Sequence, residues 1–117
     1  MSRWKRILLA AGLVAVVGVG ELLFPGRPFD PVAWNATPHG RARAEMADRI
    51  VARESLQGMA RAQVVQQLGE PVTDGFESSE LVYHLGPERS LFSIDSEWLL
   101  VDLDANGRVR HTQIVTD

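Results

Sequence analysis

The stretch W-L-L-V-D-L-D-A-N-G-R-V, residues 98–109, decides how this chain folds. In its first half Leu99, Val101 and Leu103 fall on one side of an extended backbone and Trp98, Leu100 and Asp102 on the other, the period of two that marks a strand. Gly107 can take a positive φ at low cost, and alternation resumes over residues 108–115. The stretch therefore predicts an antiparallel hairpin. With Ala105-Asn106-Gly107 as a three-residue loop, Asp104 pairs with Arg108, Leu103 with Val109 and Asp102 with Arg110. A two-residue Asn106-Gly107 turn would set Leu103 against Arg110 instead, so the longer loop keeps apolar residues together. It also brings His111 and Gln113 opposite Val101 and Leu99, which calls for a later bulge or an open end to the core.

The same letters contain D-x-D-x-N-G, the opening of an EF-hand calcium loop, with Asp102, Asp104 and Asn106 at the first three ligand positions. Such a loop needs a bidentate glutamate at its twelfth position, where this chain has Gln113. Both flanks alternate as strands and neither is an amphipathic helix. The turn explains the letters better, and no metal ligand is assigned.

Upstream, Leu81, Tyr83 and Leu85 alternate with Val82 and His84 in another strand. Before Gly75 the period is helical. Val64, Val65 and Leu68 define one face of a helix over residues 60–68, ended by Gly69 as a left-handed C′ residue with Pro71 beyond. Met46, Ala47, Ile50 and Val51 define the face of an earlier helix that begins near Arg41. The expected fold class is α+β: two helices on one face of a three-stranded antiparallel sheet, in the order α-α-β-β-β.

Three segments carry a family resemblance. G-M-A-R-A-Q-V-V-Q-Q-L-G-E-P at residues 58–71, L-V-Y-H-L-G at 81–86 and W-L-L-V-D-L-D-A-N-G-R-V at 98–109 resemble, in order, the BamE-like (SmpA/OmlA) domain family. The resemblance covers roughly residue 46 to the C-terminus. It implies a non-enzymatic protein-binding or scaffolding domain facing the periplasm, in outer-membrane or envelope assembly. The layer is also similar to the repeats of β-lactamase inhibitory protein, which implies the alternative of a secreted inhibitor-type module. Ala60 stands where family members often have Ser or Thr, which removes a helix N-cap at a cost of about 1 kcal/mol. Gln63, three residues on, can supply half of a capping box.

The first 24 residues read as a separate unit. Arg3, Lys5 and Arg6 form a basic flank, and the apolar stretch that follows includes Ile7, Leu8, Leu9, Leu13, Val14, Val16 and Val17, then resumes after Glu21 with Leu22, Leu23 and Phe24. At 1.5 Å per residue, residues 7–24 span about 27 Å as a helix, enough for a hydrocarbon core. Such a signal anchor would leave residues 1–6 in the cytoplasm and the domain in the periplasm, as a single pass through the inner membrane. A signal peptide cleaved after Gly18-Val19-Gly20 is the alternative, and would release a soluble periplasmic or secreted domain. The anchor fits better, since Gly-x-Gly is a poor cleavage site and the apolar run continues past it. The bounds expected are 1–24 for the membrane or signal helix, 25–40 for a proline-rich extended linker, and 41–117 for the BamE-like domain.

Composition narrows the function classes. The chain has 117 residues, 45% hydrophobic and 23% charged, as in an ordinary globular domain. Residues 21–117 hold 9 basic and 15 acidic groups, which argues against a nucleic-acid partner. Cysteine is absent, so disulfides, thiolate metal sites and the acylated cysteine of lipoprotein family members are excluded. His39, His84 and His111 lack ligand spacing, and Ser93 and Ser96 sit in no nucleophile elbow. No cofactor, small-molecule substrate or catalytic residue is assigned. The partners expected are the membrane and an envelope protein. The candidate contact residues are Trp98 and Leu100 on the sheet face away from the helices, Phe92 in a loop, and Phe29 and Trp34 in the linker, where docking onto the domain is the competing fate.

Overall fold

Residues 98–109 form the expected hairpin. In a computed structural model, which describes residues 24–36, 40–72 and 80–117, strands β1 (Glu80–Pro87), β2 (Ser96–Leu103) and β3 (Val109–Thr116) make one antiparallel sheet in the order β1-β2-β3. The turn is the three-residue one. Asp104 and Arg108 are joined by a backbone bond of 2.8 Å, Gly107 has φ +75°, and the Asp104 carboxylate accepts from the amides of Asn106 at 2.8 Å and Arg108 at 3.0 Å. The first acidic side chains of the calcium-like motif thus serve the turn and the strand pair, since Asp102 accepts from Arg110 Nε at 3.0 Å.

Leu103 faces Val109, but Asp102 faces His111, because Arg110 is an extra residue in β3. The bulge moves Thr112 and Ile114, in place of His111 and Gln113, opposite Val101 and Leu99. A one-residue slip swaps the two faces of a strand, and this one keeps histidine and glutamine out of the core.

Helices α1 (Pro31–Asn35), α2 (Ala42–Arg53) and α3 (Arg61–Leu68) accompany the sheet among the described residues. The fold is α+β. Ala44, Met46, Ala47 and Ile50 of α2 and Val64 and Leu68 of α3 meet Leu81, Tyr83, Leu85, Leu99, Val101 and Leu103 of the sheet in one core. Helix α3 begins one residue later than expected and uses the half capping box: the Gln63 side chain accepts from the Ala60 amide at 2.8 Å. Gly69 ends it with positive φ, but at φ +88° and ψ −174° it lies outside the left-handed helical region, in a conformation open in practice only to glycine. The left-handed cap belongs to α2 and falls on Glu54, at φ 52° and ψ 42°.

The proline-rich stretch departs from the extended linker expected. Pro31 occupies the first turn of α1, where its missing N–H costs nothing, and the Asp30 side chain caps that turn by accepting from the Val32 amide at 3.1 Å. Prolines that bar a long helix permit the start of a short one. Trp34 is completely buried, donates its indole N–H to the Leu68 carbonyl at 2.8 Å, and packs its ring on Phe29 and Tyr83. Residues 24–27 lie along α2, with the Arg27 amide bonded to the Glu45 carbonyl at 3.1 Å. The folded unit therefore begins before residue 41.

Candidate functional site

The β1–β2 connection carries three of the five exposed large apolar side chains of the described residues, the others being Val32 and Val72. Leu91, Phe92 and Ile94 are 91%, 77% and 83% exposed. Their backbone is nonetheless fixed. The Glu88 amide donates to the Asp95 carbonyl at 2.8 Å and closes the loop, Ser93 Oγ bonds to the Ser90 carbonyl at 3.2 Å, and Ser93 takes a left-handed conformation with φ 44°. A second short contact joins Ser90 Oγ to the Glu88 carboxylate.

Arg89 anchors the loop. Its guanidinium grips Asp48 of α2 with two bonds of 2.6 and 2.9 Å, and Glu97 of β2 through Nε at 2.9 Å and a terminal nitrogen at 2.9 Å. The Arg89 amide also donates to Glu97, at 2.8 Å. Glu97 is 6% exposed, and its hydrogen bonds from Arg89 hold its carboxyl below the usual range against the opposing effect of burial. Bonds to Asp48, and after them those to Glu97, push the Arg89 guanidinium further up. Four of the five guanidinium N–H donors of Arg89 are directed at these two carboxylates, which also balance its charge, so this triad is a structural clamp. At its foot lies an open cleft of about 260 Å³ lined by Gly40, Arg41, Pro87, Glu88, Arg89, Ser90 and Ser93.

The remaining candidate residues fall elsewhere. Trp34 and Phe29 face the core, the docking alternative. The sheet face of Trp98 and Leu100, expected to be open, is not: Leu100 is 7% exposed and its cross-strand neighbour Val82 is 1% exposed. Trp98 is half-buried, turned edge-on to its cross-strand partner His84 at 4.8 Å, with its indole N–H bonded to the Asp117 carboxylate at 2.9 Å. A ring pair laid across two strands covers area that a projecting indole would leave open. Only Phe92 of the sheet and loop candidates stands in solvent, and Leu91 and Ile94 join it. The signal for them was present in S-L-F-S-I-D, an apolar cluster where turn residues belong.

The basic and apolar residues assigned to a membrane helix, from Arg3 to Leu23, lie outside the described residues, as does His39. Phe24 is described: its carbonyl accepts from Arg49 at 3.4 Å, and the Arg53 guanidinium stands 5.3 Å from its ring centroid. Among the described residues no helix is long and apolar enough to cross a membrane, and no three His, Asp or Glu side chains cluster as metal ligands. Comparison with known proteins finds no matching family model, no matching curated protein and no matching solved structure.

Proposed function

We propose that the chain is a non-catalytic binding and scaffolding domain of the bacterial envelope, tethered by its N-terminal segment to the inner membrane with the domain in the periplasm, and that the 91–94 loop is its contact surface. The observation that carries this reading is the exposure of Leu91, Phe92 and Ile94 on a backbone fixed by Arg89. Burial of such a side chain against another surface is worth about 2 kcal/mol, which a polar loop would forgo. Rigid placement limits the entropy lost on contact. The tether is supported by the uncharged run of residues 7–20 behind a basic flank, and the scaffolding role by the order of the three BamE-like segments.

Two measurements on the full-length protein test this. In cells the tagged chain is expected in the membrane fraction at full length, shielded from protease until the outer membrane is opened. A photocrosslinker at position 92 is expected to capture an envelope component, while one at Gln66 on α3 is not. A processed, soluble product would remove the tether. Equal capture from both positions would remove the loop as the contact surface.

A further inference from the structure

We infer that the 91–94 loop seats in the interfacial layer of the same membrane that holds the N-terminal segment, so that the domain touches the bilayer at two points. The inference rests on the membrane-tethered reading and names the ligand of its contact surface as phospholipid.

Three observations lead there. Both attachments meet on one turn of α2. Gly26 is packed so closely on that turn that a Cβ there would lie 2.1 Å from the Glu45 carbonyl oxygen and 3.0 Å from the Asp48 Cβ, and Asp48 itself holds Arg89 at 2.6 Å. Phe24 is two residues before Gly26 and Leu91 two residues after Arg89, a reach of about 7 Å of extended chain on each side. The apolar segment and the apolar loop are therefore both fastened to α2, the segment on the Arg49 and Arg53 side of that turn and the loop on its Gly40 and Arg41 side.

The side chains are those that partition into a bilayer interface, an aromatic ring between two branched aliphatics. Four residues at a projecting tip are also too few for a stable protein interface, which buries about 800 Å² on each partner.

Charge then selects the mode of contact. Arg89 is neutralised by Asp48 and Glu97, Arg41 is paired with Glu45 at 3.9 Å, and Glu88 and Asp95 flank the tip. Carboxylates gain nothing from anionic headgroups, so the contact is apolar insertion, indifferent to salt and independent of anionic lipid.

The chain lacks cysteine, so single labels are unambiguous. Full-length Phe92→Cys carrying the environment-sensitive fluorophore NBD is reconstituted in phosphatidylcholine vesicles, with Val16→Cys reporting the tether and Gln66→Cys the aqueous face. Shallow doxyl-labelled lipid is expected to quench the position-92 label roughly twofold or more, unchanged by high salt, and to leave position 66 unaffected, while lipid labelled deep in its acyl chain quenches position 16. Adding Leu91→Ser and Ile94→Ser to the position-92 variant is expected to abolish the quenching. Persistence would mean that the label itself drives insertion and would overturn the inference. Quenching at 16 without quenching at 92 defeats the loop contact and leaves the tether standing. Quenching at 92 without 16 supports the loop and defeats the tether. A blue shift at 92 that depends on protein concentration and not on doxyl lipid identifies a second copy as the occupant, and also overturns the inference.

Discussion

Trp34 donates its indole N–H to the backbone carbonyl of Leu68 at 2.8 Å, closing a contact across 34 residues between α1 and the last residue of α3. The C-terminal carbonyls of a helix have no partner within it, so this bond satisfies one that would otherwise be buried bare. The Arg43 guanidinium lies 4.4 Å from the indole centroid and bonds to the Trp34 and His84 carbonyls, each at 2.9 Å. One side chain thus fastens the N-terminal strap to a helix, a strand and an arginine. Trp34→Phe keeps one aromatic ring but loses the bond and the rest of the indole, and is expected to cost about 2 kcal/mol. Trp34→Ala also leaves a cavity and should cost about 4 kcal/mol. Urea unfolding of the two variants checks this. A Trp34→Ala variant as stable as the wild type would mean that the strap is not part of the cooperative unit.

The clamp under the loop makes stability depend on acid. The carboxyl of Glu97 titrates below its ordinary value in the folded protein, chiefly through its hydrogen bonds from Arg89. A depressed folded value means that the stabilisation is complete above about pH 4.5 and is lost as pH falls through the folded value. Arg89→Ala leaves Glu97 buried without its cation, at a cost of roughly 3 kcal/mol near neutrality. Burial then raises the Glu97 carboxyl, so the variant is expected to regain relative stability on mild acidification while the wild type loses it. Urea midpoints between pH 3 and 7 read this crossing directly. Parallel curves would assign the loss to packing alone.

Tyr83 gives the opposite signature at high pH. It is the only tyrosine of the chain, it donates its hydroxyl to the Gly69 carbonyl at 2.9 Å, and burial pushes its phenol up to about 12. A folded value raised above the unfolded one gives stability that is complete below about pH 10 and lost as pH rises toward 12. Absorbance near 295 nm reports this one residue, and should show only about a tenth of the phenol ionised at pH 11 in the folded protein and about nine-tenths in urea. Tyr83→Phe should remove this alkaline dependence and cost about 1 kcal/mol at neutral pH. Half-ionisation at pH 10 in the native state would contradict the burial of the phenol.

Residues whose meaning is local were legible in the sequence. The three-residue turn at Ala105-Asn106-Gly107 follows from register and a positive φ, the need for a bulge from where His111 and Gln113 would otherwise fall, and the end of α3 from Gly69 and Pro71. What depended on a distant partner was not legible. Trp34 needed the Leu68 carbonyl, and Trp98 needed His84, before either could be placed. The loop was half legible: Phe92 stands out as an aromatic, whereas Leu91 and Ile94 have no period to interpret and become significant only because the turn behind them is pinned by Arg89.

Gly26 is where the strap is most sensitive. It has φ +78°, a conformation that costs an alanine about 1–2 kcal/mol, and the added Cβ would meet the Glu45 carbonyl oxygen at 2.1 Å, far inside contact distance. Gly26→Ala must therefore lift residues 24–27 from α2 and break the Arg27 amide bond to Glu45. Trp34 lies eight residues further on and keeps its own fastening, so the release should be local. Limited proteolysis is expected to cut the variant near Arg27 several times faster than the wild type, with the urea midpoint of the domain shifted far less than by Trp34→Ala. In vesicles the same variant should loosen the two-point contact, so that a label at position 92 is quenched less while one at position 16 is unchanged. If Gly26→Ala leaves the cleavage rate at Arg27 untouched, the strap is not seated on α2 in solution, and the shared attachment of the apolar segment and the apolar loop to that helix falls with it.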